Sequence, residues 1–545
     1  MNHLFRSPSS PWPIAALVVA LAAGLFARLF QIGLQVPMDD EWHAIAKAAT
    51  ATPREIVLSF GLADHSIPVA LYYEALIEAG RLSEAWMYAV PLAAGIAMAV
   101  GLVAAARKAV TPLGLGLYAG LLAISPLLVL YARQARPYAL SVALALAAAW
   151  AAYRWWQSGK FRHAALYLLC APLAIWLHLI VAPFVLGVWI VLLLEWLASP
   201  RRDAQRFLAM AIVGGTAALL TAALVGPPLW NDLANLRAKA AQDFPTIHTA
   251  VRTGALYACT ASAIPAAAMA FLAAFGVVSL GRRAPQATRY VFALVLLQVA
   301  TVLASRAYLL HYPIVLARYL LVCLPFVLLA VAAGAAALLA PLGKRLSALP
   351  WLLVSAALTA LVLLGPLPKA LAYPNSFVGN HLHFFEFDER ENAVAAVLRP
   401  GPIPDFYRKL AQQPRGSLTL VEAPWRYESI FNRLPVFQEV HRQKVKVGMV
   451  GGLCPPGGHA EEPRRFPNRF VNVVDLAQPP EALRRIADFV VFHRELKLPN
   501  LEGPWLLPGG RALPDAGPCI EKFIAAFGPP AYEDAVITVF ALRKP

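Results

Sequence analysis

Charge is scarce in this chain. Only 14% of its 545 residues are Asp, Glu, Lys or Arg, while 59% are hydrophobic; soluble domains carry roughly a quarter charged residues. That deficit excludes an ordinary soluble globular domain and points to a polytopic membrane protein. Cysteine is scarce too, with five residues and no CxxC spacing, which argues against zinc and iron–sulfur centres. No Walker A loop is present, and no GxGxxG opens a helix after a strand, so nucleotide binding is not indicated. Acids are the rarer sign, 31 against 47 Lys plus Arg, for a formal charge of +16. The bases are scattered among apolar runs, where they read as topology determinants and contacts to anionic lipid rather than to nucleic acid.

What the chain has in abundance is spanning-length apolar sequence. Runs near 13–34, 86–106, 112–131, 137–154, 163–179, 181–198, 207–227, 260–281, 288–305, 316–340 and 347–366 suit a hydrocarbon core that takes about 20 residues per helix. The first run is longer than a signal-peptide core and reads as a retained span. Arg107-Lys108, Arg154/Lys160/Arg162, Arg201-Arg202/Arg206, Arg282-Arg283/Arg289 and Lys344-Arg345 fall at every second connection. The positive-inside rule makes those connections cytoplasmic. A multi-pass protein of the cytoplasmic membrane is therefore expected, with about eleven helices, its N-terminus inside and residues after 370 outside.

Two domains follow from the composition. Residues 1–370 form the transmembrane domain, including an outer loop over 35–85 with two amphipathic stretches, Glu41–Thr50 and Ser66–Ala79, too short to span and suited to the interface. Residues 371–545 lose the apolar runs. Short apolar strands (Ser417–Val421, Phe470–Val474, Phe489–Phe492, Ala535–Phe540) alternate there with helical patterns (Glu389–Leu398, Pro404–Gln412, Pro480–Ile486), which predicts an extracytoplasmic α/β domain.

The candidate chemistry lies on the outer face. Asp39-Asp40-Glu41 places three carboxylates just past the first apolar run, where they serve either as a solvated membrane edge or as a general base. Arg133 and Arg136, in Tyr131-Ala132-Arg133-Gln134-Ala135-Arg136-Pro137-Tyr138, stand against the positive-inside bias. They read as snorkelling anchors or as planar donors to phosphate oxygens. Arg306 and Arg318-Tyr319 repeat that placement. His178 between two spans and Asp64-His65 in the first outer loop are polar-site candidates, each with a plain structural alternative, and Arg28 inside the first span snorkels or pairs with a polar neighbour. His381-Leu382-His383 lacks a nearby third ligand, so metal binding is not indicated. A second outer loop near 228–258 carries Trp230-Asn231-Asp232.

In this order the features resemble the GT-C superfamily of membrane glycosyltransferases, specifically the bacterial relatives of dolichyl-phosphate-mannose–protein mannosyltransferases and of the aminoarabinose transferase of lipid A. The resemblance covers the N-terminal two thirds. It rests on Asp40-Glu41, on Asp64-His65-Ser66-Ile67-Pro68 with Tyr72-Tyr73, on Arg133-Gln134-Ala135-Arg136-Pro137-Tyr138 and on Arg318-Tyr319. The doubled proline often found in the second of these segments is missing here. The resemblance implies transfer of a sugar from a polyprenyl-phosphate carrier to a lipid, glycan or protein acceptor at the outer membrane face. Inverting displacement needs one carboxylate as base toward the acceptor hydroxyl, here Asp40, with Glu41 beside it. It also needs cations where the phosphate leaves. Arg133, Arg136 and Arg318 are the phosphate candidates, with Asp39, Asp64, His65, Tyr138, His178, Arg306 and Tyr319 as further substrate contacts. Arginines suffice in principle for a lipid monophosphate, so no cofactor is required; a divalent metal is not indicated.

A polyprenyl-lipid flippase or other transporter is the competing reading, and it asks for charges deep within several spans or for broken helices. A non-catalytic envelope assembly protein is the third, and would make the acidic loop dispensable. Cys454 and Cys519 are either bridged or two buried thiols; they are the cysteines of the outer domain. The alternating bases predict that a reporter active only in the cytoplasm, fused after Pro545, stays silent. Strong reporter activity moves the acidic loop to the wrong face.

Overall fold

Every one of the apolar runs is helical in the computed structural model, which describes residues 11–37, 41–61, 66–200, 202–240, 244–259, 263–307, 309–343, 348–372, 403–425, 434–449, 469–476, 479–494 and 517–543. Among the described residues seven helices are long and apolar enough to cross a bilayer, or eight if one bent pair forms a single span. Two shorter apolar helices, Phe161–Leu177 and Leu349–Leu364, and the helix Tyr138–Ser158 occupy the remaining runs. The chain divides into a helical unit (1–30, 54–69 and 88–368) and an α/β unit (31–53, 70–87 and 369–545).

In the helical unit the third run is broken. Helices Pro112–Ile124 and Pro126–Arg133 meet at 49°. Pro126 has no N–H to offer Leu122, and the bend frees the carbonyl of Ala123 as well. Arg28 of the first helix, Trp12–Leu29, supplies the missing donors: Nη2 donates to Leu122 O at 3.1 Å, and Nη1 to Ala123 O at 3.3 Å and to Gly24 O at 3.1 Å. The debt is returned at the other end. Arg133 Nη1 donates to Ala27 O, Arg28 O and Phe30 O at 3.1, 3.3 and 2.8 Å, satisfying the last carbonyls of that first helix. Both guanidinium groups are buried. Arg28 thus pairs with backbone rather than snorkelling.

Close backbone approach packs another pair. A Cβ on Gly276 of helix Ala263–Arg283 would collide with Ala330 O, and one on Gly334 of helix Leu324–Gly343 with Leu272 O. Small residues at such crossings let membrane helices touch.

The α/β unit holds a six-stranded sheet in the order β3-β2-β1-β4-β6-β5. Its strands are β1 Thr419–Trp425, β2 Lys444–Met449, β3 Val473–Asp475, β4 Phe489–His493, β5 Tyr532–Glu533 and β6 Ile537–Ala541. The first four are parallel neighbours; β6 adds antiparallel to β4, and β5 antiparallel to β6. Side chains alternate between two cores. Val421, Ala423 and Phe492 pack with Cys519 and Phe523, whereas Leu420 and Val491 pack with Tyr407 and Phe437. The amphipathic stretches of the first outer loop are helices as expected, Glu41–Thr50 and Ile67–Glu78. Strand β2 and helices Leu434–His441 and Gly517–Phe527 were not anticipated; Glu389–Leu398 lies outside the described residues. Cys519 is disulfide-bonded, while Cys170, Cys259 and Cys323 are free thiols; Cys454 lies outside the described residues.

The glycine crossing sets a stability test. Gly276→Ala or Gly334→Ala forces the backbones apart and should cost on the order of 1–3 kcal/mol as overpacking, read as a lower midpoint of thermal unfolding in detergent. Gly281→Ala, with open space around its Cβ position, should leave that midpoint unchanged.

Candidate active site

The junction after Arg133 carries the most concentrated chemistry of the helical unit. Arg136 N–H donates to Gln134 O in a tight turn, and Pro137 caps helix Tyr138–Ser158. The guanidinium of Arg136 lies 5.7 Å from the centroid of the Tyr138 ring, and Nη2 is 3.4 Å from the Tyr138 hydroxyl. Arg318, from the last turn of helix Pro313–Tyr319, approaches the same ring at 5.4 Å and the Tyr319 ring at 5.6 Å. Tyr138 meets His178 edge-on at 5.1 Å and Tyr131 at 5.0 Å, and His178 is 6.4 Å from Tyr319. Residues far apart in sequence, 136, 138, 178, 318 and 319, therefore share one place. Both guanidinium groups lie over the Tyr138 ring, whose quadrupole attracts them. Planar donor forks of this kind match the oxygens of a phosphate.

Gln298 holds this cluster, and no motif in the sequence marks it. It is fully buried in helix Pro285–Ser305. Its Oε1 accepts from Phe184 N at 3.0 Å, while Nε2 donates to Ile180 O at 2.8 Å and to Tyr319 O at 3.2 Å. The amide thus joins the helix interruption just after His178 to the end of the helix bearing Arg318. An amide within an apolar stretch of helix, residues 291–300, is the signal it leaves.

The other candidates separate. Arg133 is engaged with the first helix, as described above. Arg306 is exposed in a left-handed turn at φ 46° closing helix Pro285–Ser305, and no described contact joins it to the cluster. Asp39, Asp40, Asp64 and His65 lie outside the described residues, as do His381 and His383. Glu41 begins helix Glu41–Thr50 and is fully buried, in the α/β unit. Among the described residues no group of three or more His, Cys, Asp or Glu is arranged to hold a metal.

Asp232 is a clamp that the sequence showed only as a polar loop residue. Its carboxylate accepts from Ser59 Oγ at 3.0 and 3.2 Å and from Phe60 N at 2.5 Å, and Asn231 Nδ2 donates to Leu58 O at 2.8 Å. These bonds fix residues 58–60, which precede Asp64-His65 in the sequence by a few residues.

No family model and no curated protein matches the chain. Solved structures do. The chain is similar to ArnT from Cupriavidus metallidurans bound to undecaprenyl phosphate, at 12% identity over 98% of this chain and 99% of that one, with a TM-score of 0.41. The apo state of that protein is similar at 13% identity and the same coverage, again with a TM-score of 0.41. The Archaeoglobus fulgidus oligosaccharyltransferase tethered to an acceptor peptide is similar at 11% identity over 89% of this chain and 69% of that one, with a TM-score of 0.45. At such identities no single residue is carried from one chain to the other.

The clamp at Asp232 is testable alone. Removing a charged acceptor of buried donors costs roughly 1.5–3 kcal/mol, so Asp232→Ala should speed amide exchange over residues 58–61 by tenfold or more. Unchanged exchange there means that other contacts hold the loop.

Proposed function

We propose that this protein is a membrane glycosyltransferase that moves a sugar from a polyprenyl-phosphate carrier to an acceptor hydroxyl at the outer face of the cytoplasmic membrane. The observation that carries the reading is the convergence of Arg136 and Arg318 on Tyr138 beside His178. It supplies fixed positive charge for a departing phosphate. In this reading Arg136 and Arg318 bind the phosphate, and Tyr138, His178 and Tyr319 shape the place where it sits. Arg133 holds the start of the same junction. Asp40 takes the proton from the acceptor hydroxyl as the new glycosidic bond forms and the carrier phosphate leaves, with inversion at the anomeric carbon. Glu41 and Asp39 flank it, and Asp64 and His65 contact the acceptor side. No metal is invoked.

The transporter reading asked for charges deep within several spans or for broken helices. The third run is broken and Arg28 is such a charge, but the two belong together: Arg28 is bonded to the carbonyls freed at that break, which is a structural task.

Incubating the purified chain with radiolabelled polyprenyl-phosphate sugars and a membrane extract tests the activity itself. Asp40→Asn keeps the shape and removes the base, so transfer should fall by roughly 10²–10⁴ while carrier binding persists. Arg136→Ala should instead raise the KM for the carrier, because a charge-assisted contact to phosphate is lost. Near-normal turnover by Asp40→Asn removes it from the role of base and brings the transporter reading forward.

A further inference from the structure

The α/β unit includes two pieces of chain from the first outer loop, 31–53 and 70–87, and one short turn of the later chain holds them. Glu84, buried, accepts from the backbone of that turn: Oε1 and Oε2 each lie 2.9 Å from Val471 N, and Oε1 lies 2.7 Å from Asn472 N. Asn472 Nδ2 has two hydrogens and uses both, donating to Gly33 O at 2.8 Å and Gln35 O at 3.1 Å. The Asn472 carbonyl accepts from Val447 N of β2 at 2.9 Å, so the residue is bound to the sheet by its backbone and to the loop by its side chain. Lys446, also on β2, donates to Val471 O and stands in the field of Glu84. Phe470 packs on Trp42 with ring centroids 6.0 Å apart, and Trp42 Nε1 donates to Pro37 O at 2.7 Å. Both flanks of residues 38–40 are thus tied down, by Gly33, Gln35 and Pro37 on one side and by Trp42 on the other.

We propose that the α/β unit positions the catalytic acidic loop, with Asn472 and Glu84 as the positioning residues that key the 470–472 turn to its two flanks. The inference rests on the reading of Asp40 as the base. A buried amide with both hydrogens on carbonyls fixes direction as well as distance, and the sheet behind it is the rigid reference. In that reading, loosening the flanks loosens the hold on the base between them, and a displacement of about 1 Å is enough to cost on the order of a hundredfold in rate. Carrier binding, which falls to arginines of other segments, is untouched.

Asn472→Asp is the informative variant. It keeps size and shape but presents an acceptor to two carbonyl oxygens, so a loss is assigned to the missing donors rather than to packing. Glu84→Gln, which removes the charge and puts an amide donor where Oε2 accepts from Val471 N, should act in the same direction. In the full chain, amide exchange over 32–37 and 41–50 should rise tenfold or more in both variants, while the strands 419–425 and 489–493 keep their protection. With polyprenyl-phosphate sugar as donor, kcat should fall ten- to a hundredfold and the donor KM should stay within threefold. Unchanged exchange at the flanks overturns the anchoring, and faster exchange with normal kcat overturns its catalytic role. If the wild-type chain transfers no sugar, the glycosyl-transfer reading fails, and the exchange data still decide whether Asn472 anchors the loop.

Discussion

In an apolar surround, a backbone carbonyl without a donor is expensive, costing several kcal/mol. The helical unit answers that constraint by exchanging arginines. Helix Pro112–Ile124 stops at Ser125-Pro126, and its freed carbonyls take hydrogen bonds from Arg28 of the first helix. The first helix ends at Leu29, and its last carbonyls take theirs from Arg133. Each arginine offers five N–H donors on a rigid plane, so one side chain serves several acceptors where a lysine ammonium on a flexible stem does not hold the same fork. Burying each guanidinium is itself costly. The cost is offset because each meets partial negative charge at a helix C-terminus, where a cation is favoured.

This exchange decides what the next residues can do. Arg133 starts from an anchored position, so the turn through Gln134 and Arg136 to Tyr138 leaves the first helix in a set direction. Gln298 fixes the other wall by joining Ile180, Phe184 and Tyr319. Between these two anchored walls, Arg136 and Arg318 face one aromatic ring. Positive charge is gathered there by scaffolding on both sides, and the proposed role toward a leaving phosphate rests on that preorganisation. The division of labour among the arginines follows from partners rather than from residue type: Arg28 and Arg133 hold helix ends, while Arg136 and Arg318 are arranged around a ring.

Much of the architecture was legible because its signals are periodic or local. The apolar runs are helical, the third as two helices, and the amphipathic stretches became helices Glu41–Thr50 and Ile67–Glu78. The Arg-Pro-Tyr junction opened a helix where Pro137 suggests it. The break at Ser125-Pro126 was missed, since a proline inside an apolar run reads equally well as a bend or as a tolerated residue. The tasks of Arg28 and Arg133 were hidden for another reason. Their partners are backbone carbonyls about a hundred residues away, and a carbonyl leaves no trace in a sequence. Gln298 and Asn472 were hidden in the same way. In β2, the Lys444-Val445-Lys446-Val447 alternation carries the period of a strand, but its lysines mask the apolar content. The acidic loop stood out in sequence by composition alone, and its candidate base lies outside the described residues.

The α/β unit contains a second gathering of polar side chains, and its chemistry explains why it supports rather than reacts. Glu422 on β1 accepts from the Tyr407 hydroxyl at 2.9 and 3.1 Å and lies 2.6 Å from His493 Nε2 on neighbouring β4. Strand order reverses between β1 and β4, the place where parallel sheets commonly bind ligands. Yet every one of these groups is buried, and they are turned on one another. Burial, reinforced by Glu422, pushes the Tyr407 phenol well above its ordinary range. Burial also holds His441, stacked on Tyr407 at 5.3 Å, down to about 4 against the opposing pull of Glu422. Both rings are therefore neutral near neutral pH. Tyr407 comes from helix Asp405–Leu410 and His441 from helix Leu434–His441, so the cluster binds two helices to the central strands. A sheet fixed in this way is a rigid base, and Asn472, bonded through its carbonyl to β2, inherits that rigidity.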